Sequence, residues 1–106
     1  MVSFEEFKRL ELKIATIKKV EDHPNADKLY VIIVEIGEKT KQIVAGIKNF
    51  YKKEELIGRQ VVVVDNLEPA ILRGVESQGM LLAAEDQGSI SIITPERKVK
   101  TGSIVK

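Results

Sequence analysis

Asn66-Leu-Glu-Pro-Ala-Ile-Leu-Arg-Gly-Val-Glu-Ser-Gln-Gly-Met-Leu-Leu-Ala-Ala84 governs how the rest of the chain is read. It follows a short apolar run, Val61 to Val64, and closes in another, Met80 to Ala84. Asn66 to Gln78 carries too much Pro, Gly and polar content for a central strand, so it reads as a loop between two strands. At about a dozen residues it is long for a connector in a small domain, and long ordered loops tend to carry function. Arg73 and Gly74 put a cation beside flexible backbone. Ser77-Gln78-Gly79 puts a hydroxyl and an amide beside a glycine that admits a ligand to the main chain. Met80 falls at the rim, where loop meets strand. This is a binding surface for something large and polar, and it holds no nucleophile–base pair.

On the N-terminal side, Arg59 to Asp65 reads as the fourth strand. Asn49 to Gly58 holds a helical turn or two around Lys52 to Leu56, stopped by Gly58. Lys41 to Ala45 is a strand returning from the hairpin chemistry of Gly37-Glu-Lys-Thr40. Leu29 to Ile36 is nearly continuous in apolar residues and reads as a strand buried on both faces. Pro24 excludes helix at His23, which leaves Glu21 to Asp27 as a loop. From Leu10 the period is two, with Leu12 and Ile14 inward and Glu11 and Lys13 on a wet face. The phase slips near Ala15-Thr16-Ile17, as at a bulge or bend, before pairing resumes toward Val20. Ser3 and Glu6 form a capping box at the chain start, Val2 and Phe7 a hydrophobic staple, and Phe4 and Phe7 should pack that short helix down.

On the C-terminal side, Met80 to Glu85 reads as the fifth strand. Gln87-Gly88 turns into Ile90 to Thr94, and Gly102 to Val105 offers one last short pairing. Three strands, a short helix and two more strands give the order of an OB-fold. This is an all-β, five-stranded barrel, here with a short N-terminal helix and extra C-terminal strands.

The composition of 106 residues fits one domain, residues 1–106, with 43% apolar and 31% charged residues and a net charge of only +1. No apolar run reaches bilayer length and no signal-peptide pattern opens the chain, so no membrane is expected. The absence of cysteine excludes disulfides and thiolate metal sites and fits a cytoplasmic protein. A chain this close to neutral binds nucleic acid only where basic residues gather on one face. Lys13, Lys18, Lys19, Lys28, Lys41, Lys48, Lys52, Lys53, Arg59 and Arg73 are the candidates, and Lys and Glu interspersed for solubility is the plain alternative. Tyr30, Tyr51 and three phenylalanines are few rings for stacking single strands, which favours recognition of a folded RNA by shape and backbone.

His23-Pro-Asn-Ala-Asp-Lys-Leu29 is the second notable stretch. A lone histidine with Asp22 and Asp27 falls short of the three ligands a hydrolytic metal site needs. Loop capping by Asp27 and Asn25 is the simpler reading, with Asn25 and Lys28 available at the barrel mouth. Phosphate-loop, nucleophile-elbow and histidine-cluster motifs are missing. Neither an enzyme, nor a cofactor, nor a metal is expected.

Asn66-Leu67, Pro69, Arg73-Gly-Val-Glu-Ser-Gln-Gly-Met80 and the following Leu-Leu-Ala-Ala resemble the signature of the tRNA-binding OB domain. Glu11 to Ile14, His23 to Leu29, Val44-Ala-Gly-Ile47 and Glu54 to Gly58 resemble further motifs of that family, so the likeness spans the chain. The family occurs free-standing and appended to methionyl-tRNA synthetases, some tyrosyl-tRNA synthetases, the phenylalanyl beta chain and a cytokine-like synthetase cofactor. The chain length implies the free-standing form, often described as a methionyl-tRNA synthetase beta subunit. The resemblance implies a homodimer that binds tRNA at the outer corner of its L without sequence readout. Lys13, Asn25, Arg73, Ser77 and Met80 would line the groove, and Lys28 would join Lys13 and Arg73 on phosphates. Methionyl-tRNA synthetase is the implied partner, and residues 88–106 are the implied dimerisation segment. Family members often carry Lys after Asn-Leu where this chain has Glu68, which removes positive charge from the loop. One branch of the family resembles an export chaperone, so a protein-binding module using the same groove is the competing expectation.

Overall fold

In the computed structural model, which describes residues 1–106, the chain opens with α1 (Phe4–Phe7). Ser3 Oγ accepts from the Glu6 amide, and the Glu6 carboxylate accepts from the Ser3 amide, completing the expected capping box. Phe4 and Phe7 do not pack the helix down, because Phe4 remains 70% exposed and Phe7 38%. A single turn has no opposite face that could press both rings onto the barrel.

Four strands then build a curled sheet: β1 (Leu12–Asp22), β2 (Tyr30–Ile36), β3 (Lys39–Ala45) and, after the short α2 (Lys53–Leu56), β4 (Gln60–Val64). The chain continues through β5 (Ala70–Leu72), β6 (Val75–Ser77), β7 (Met80–Leu81), β8 (Ala83–Asp86), β9 (Ser89–Ile92) and β10 (Ile104–Val105). The main sheet runs β3-β2-β1-β4-β7, with β10 joined to the start of β1. All of its pairings are antiparallel. Lys18 is the extra residue of a β1 bulge, since the register against β2 shifts between Ile17 and Lys19. That bulge lets one long strand pair with β4 through its first half and β2 through its second, curling the sheet into the half-barrel of an OB-like all-β fold.

The core is a set of β-branched side chains from facing strands, with Ile17, Ile32, Val34, Ile43, Val61 and Val63 fully buried and Leu56 of α2 closing one end. β2 alternates between this core and a half-buried outer face rather than being buried on both sides. The expected fifth strand breaks at Leu82, where the chain leaves β4 and enters the β8–β9 ribbon. The segment expected to be a loop holds the β5–β6 hairpin. Its turn, Arg73-Gly74, takes positive φ at both residues (53° and 89°), a primed turn that matches strand twist. An arginine there disguises the turn, because the left-handed region favours Gly, Asn and Asp.

The C-terminal strap is fastened to the barrel. Thr101 Oγ1 donates to the Glu35 carbonyl at 2.7 Å, and the Gly102 amide donates to the Ile14 carbonyl at 2.7 Å. A Cβ on Gly102 would lie 2.9 Å from the Gly37 backbone, at a φ of +89°. Gly102→Ala is therefore expected to cost about 2 kcal/mol, from the clash and the unfavourable backbone together, and to lower the midpoint of thermal unfolding measured by circular dichroism. No helix is long and apolar enough to cross a membrane.

Candidate nucleic-acid interface

The β5–β6 hairpin lies along β3. Gln42 holds its base: the Gln78 amide donates to the Gln42 carbonyl at 2.7 Å, the Gln42 amide donates to Gln78 Oε1 at 2.8 Å, and Gln42 Nε2 donates to the Glu76 carbonyl. Ser77 locks the middle. Its buried hydroxyl accepts from the Val44 amide at 2.9 Å and donates to the Gly79 carbonyl at 3.0 Å. Ser77→Ala should leave the Val44 amide without a partner and destabilise the fold by about 1–3 kcal/mol in urea unfolding.

The hairpin tip reaches the loop after β1, where His23 meets it. His23 is 5% exposed, and its Nδ1 accepts from the Asn25 amide at 2.9 Å. The proton therefore sits on Nε2, which donates to the Leu72 carbonyl at 2.9 Å. Both ring nitrogens are engaged within the chain. Next to it, Asn25 Nδ2 donates to the Arg73 carbonyl at 3.1 Å, and Arg73 Nη2 donates to the Asn25 carbonyl at 3.2 Å. Two loops remote in sequence are thus clasped into one rim. They enclose an open cleft of about 410 Å³ lined by Asn25, Ala26, Asp27, Lys28, Leu29 and Arg73. Neither Lys28 nor Arg73 forms an ion pair, and with Asp27 also in the lining the cleft carries one cation in excess.

Met80 is nearly half exposed and borders an apolar notch of about 210 Å³ formed with Val44, Ala45, Ile47, Leu81 and Ile90. The notch adjoins the cleft, because Gly46 on its wall packs toward the Leu29 side chain. A cationic cleft beside an apolar shelf can hold a phosphate and the ribose or base attached to it.

Lys13 is not part of this rim. It faces Val63 and shares its side of β1 with Ala15 and Ile17, all fully buried, so it points into the barrel end and not off a wet face. There Asp65, its side chain 2% exposed, gathers Lys13 at 3.0 Å and Lys39 and Lys41 at 2.8 Å each. Burial alone would raise the Asp65 pKa, but hydrogen bonds from Lys39, Lys41 and Lys13 outweigh it and hold the carboxyl far below the usual carboxylate range. Hydrogen bonding to Asp65 in turn holds the Lys13 ammonium charged to higher pH, against the opposing effect of burial. Asp65 follows Val61 and Val63 in phase, and that parity was the available signal for an inward carboxylate. At the rim end, Lys48 and Lys53 flank Asp22 at 3.2 and 3.3 Å, and their hydrogen bonds, Lys48's first, lower its pKa. The structure thus brings Asn25, Lys28 and Arg73 together, sets Met80 alongside, buries Ser77 beneath, and leaves Lys13 at the other end of β1. Sequence reasoning missed Gln42 and the pinning role of His23, neither of which carries a local motif.

Comparison with known proteins places this geometry in a family. Residues 12–104 match the family described as "Putative tRNA binding domain". The chain is 55% identical over 105 residues to a methionine–tRNA ligase of Pyrococcus furiosus and 52% identical to that of Thermococcus kodakarensis; it covers 99% of itself and 14% of each ligase. Among solved structures, a MetRS-related protein from Pyrococcus horikoshii superposes with a TM-score of 0.93 at 36% identity, covering 100% of this chain and 98% of that one. The chaperone CsaA from Bacillus anthracis superposes at 0.92 and 29% identity, covering 100% and 99%. With the match running from β1 to β10, the chain belongs to the tRNA-binding domain family.

Proposed function

We propose that the chain is a non-catalytic module that binds folded tRNA by its backbone and serves methionyl-tRNA synthetase as an accessory subunit in the cytoplasm. The observation that carries this reading is the reciprocal clasp between Asn25 and Arg73, which fixes an unpaired guanidinium beside the unpaired Lys28 in one cleft. Lys28 and Arg73 contact phosphates, Asn25 hydrogen-bonds sugar or phosphate, and Met80 packs on a ribose or base. Ser77 acts by holding the hairpin under them, whereas Lys13, paired with Asp65 at the far end of β1, is assigned no contact. The shortage of rings at the rim supports recognition of shape rather than stacked single strands. The likeness to methionine–tRNA ligases supports the choice of synthetase.

Homodimerisation belongs to the same proposal. Most of residues 88–106 is fastened to the chain's own barrel through Ile92, Val99, Thr101 and β10. The segment's exposed large apolar side chains are Ile93 and Ile104, the latter 74% exposed on β10 beside the start of β1, with Phe4 and Leu10 exposed just upstream of that strand. That apolar patch is the surface proposed to meet a second copy.

The apolar notch at Met80 and the likeness to CsaA favour a second reading, in which the rim takes an extended polypeptide. A gel-shift competition separates the two. Folded tRNA should displace labelled tRNA far more effectively than an unstructured RNA of equal length, and an unfolded polypeptide should not displace it. Equal competition by the two RNAs would remove shape recognition, and displacement by polypeptide alone would favour the second reading.

A further inference from the structure

Across the sheet from the hairpin lies another cleft, of about 370 Å³, lined by Gly58, Arg59, Gln60, Thr94, Pro95 and Lys98. The hairpin rides on β3, whereas Arg59 immediately precedes β4. β2 and β1 lie between them, a separation of roughly 14 Å around the sheet at ordinary strand spacing.

Side-chain and main-chain bonds build the walls of this cleft. The Gln60 carboxamide accepts from the Val99 amide at 3.0 Å and donates to the Val99 carbonyl at 2.6 Å, a two-way pairing like a rung of sheet. At the other end of the same segment the Val62 amide donates to the Ile93 carbonyl at 3.0 Å. Thr94 to Lys98 is thereby pinned at both ends and held opposite Gly58–Gln60. Gly58 has a φ of +89° and no atom within 4 Å of where a Cβ would stand, so the main chain lies open on that side.

The lining of this cleft holds two cations and no carboxylate. Lys13, Lys39 and Lys41 are occupied by Asp65, Lys19 by Glu21, Lys48 and Lys53 by Asp22, and Arg97 by Glu96. Arg59 and Lys98 have no carboxylate partner, and neither has the exposed bulge residue Lys18, next to Ile17, which bonds to Gly58 and Arg59 through the backbone. Like the Asn25 rim, the cleft holds one unpaired arginine, one unpaired lysine and neutral hydrogen-bonding side chains, but without the carboxylate that Asp27 adds there. A guanidinium fork with an adjacent ammonium suits a phosphate oxygen pair.

We infer that Arg59, Lys98 and Thr94 form a second phosphodiester-binding cleft, so that RNA held at the Asn25–Arg73 rim is also gripped by its backbone on the β4 side. The inference rests on the RNA-binding reading given above and adds a second footprint to it. Arg59 and Lys98 take one phosphate contact each, the Thr94 hydroxyl bonds a phosphate or ribose oxygen, and Lys18 contributes charge from the bulge.

The test is tRNA affinity as a function of KCl for the unaltered chain, for the double variant Arg59→Gln/Lys98→Gln and for Arg73→Gln. Loss of two phosphate contacts should reduce the slope of log affinity against log salt by about 1.4–1.8 in the double variant. Arg73→Gln should reduce it by less than 1, and the two reductions should add. A double variant with the slope of the unaltered chain would overturn the second cleft while leaving the first in place. If the unaltered chain binds no tRNA, the RNA reading fails by itself, and an NMR titration with inorganic phosphate decides the cleft. Shifts of the Gly58–Gln60 and Lys98 amides that vanish in the double variant would uphold it as a phosphate site, and unmoved amides would overturn it.

Discussion

Asp65→Asn is expected to destabilise the fold by about 2 kcal/mol and to remove much of its sensitivity to acid. Removing one member of a buried ion pair costs about 3–5 kcal/mol, because the remaining charge is left uncompensated. Here the lysines around Asp65 stay roughly a quarter to a half exposed, so water recovers part of that cost. In thermal unfolding at pH 7 the loss corresponds to a fall of roughly 10 °C for a domain of this size. The sign of the pH effect follows from the direction of the shift. Asp65 has a folded pKa depressed below its ordinary 3.8, so its stabilising contribution is fully present above about pH 4 and is lost as pH falls further. The unaltered chain should therefore lose stability steeply below pH 4, and the Asn variant, which has no such carboxyl, should lose much less. Parallel acid-unfolding curves for the two would show that the lysine cluster contributes nothing to folding.

Arg73→Glu is expected to weaken tRNA binding about 30-fold at moderate salt while the protein stays folded. A hydrogen bond to a charged group contributes about 1.5–3 kcal/mol, equivalent to roughly 10- to 150-fold in affinity. Charge reversal also sets a carboxylate against the phosphates. The variant loses the guanidinium bond to the Asn25 carbonyl, but the Asn25 side-chain bond to the residue 73 carbonyl and the His23 bond to Leu72 remain to hold the tip. Arg73→Asn is the informative companion. Asparagine tolerates the left-handed backbone at φ 53°, so this variant should be as stable as the parent or slightly more so, yet bind tRNA like a charge-deleted rim. Filter-binding isotherms for the pair check both halves. Full affinity in Arg73→Asn would show that the rim acts through shape alone.

Local chemistry made much of the fold legible. Ser3 and Glu6 announce a capping box, the slip of alternation near Ile17 marks the bulge, and the spacing of strands around α2 gives the OB-like order. The misplacement of Lys13 has its cause in a face covered from far along the chain. Ile14 looks like the inward residue of β1 because it is buried, yet its cover is the strap at Gly102 and Ser103. The true core face carries Ala15 and Ile17, and Lys13 with them. The β5–β6 hairpin hides behind Pro69 and an arginine at a turn that usually takes Asn or Gly. Of the site, Asn25, Lys28, Arg73 and Met80 stand where single residues suggested a surface. Ser77 is buried, because its hydroxyl completes a main-chain bond of β3 that only the folded hairpin could reveal.

Because His23, Asn25 and Arg73 already tie the hairpin tip in the free protein, little of the rim is left to be ordered when a partner arrives. Encounter then resembles a key meeting a finished lock, governed by diffusion and long-range attraction rather than by the closing of a loose finger. A bracket finished in advance loses little freedom on contact, so it favours tightness of grip as well as speed of capture.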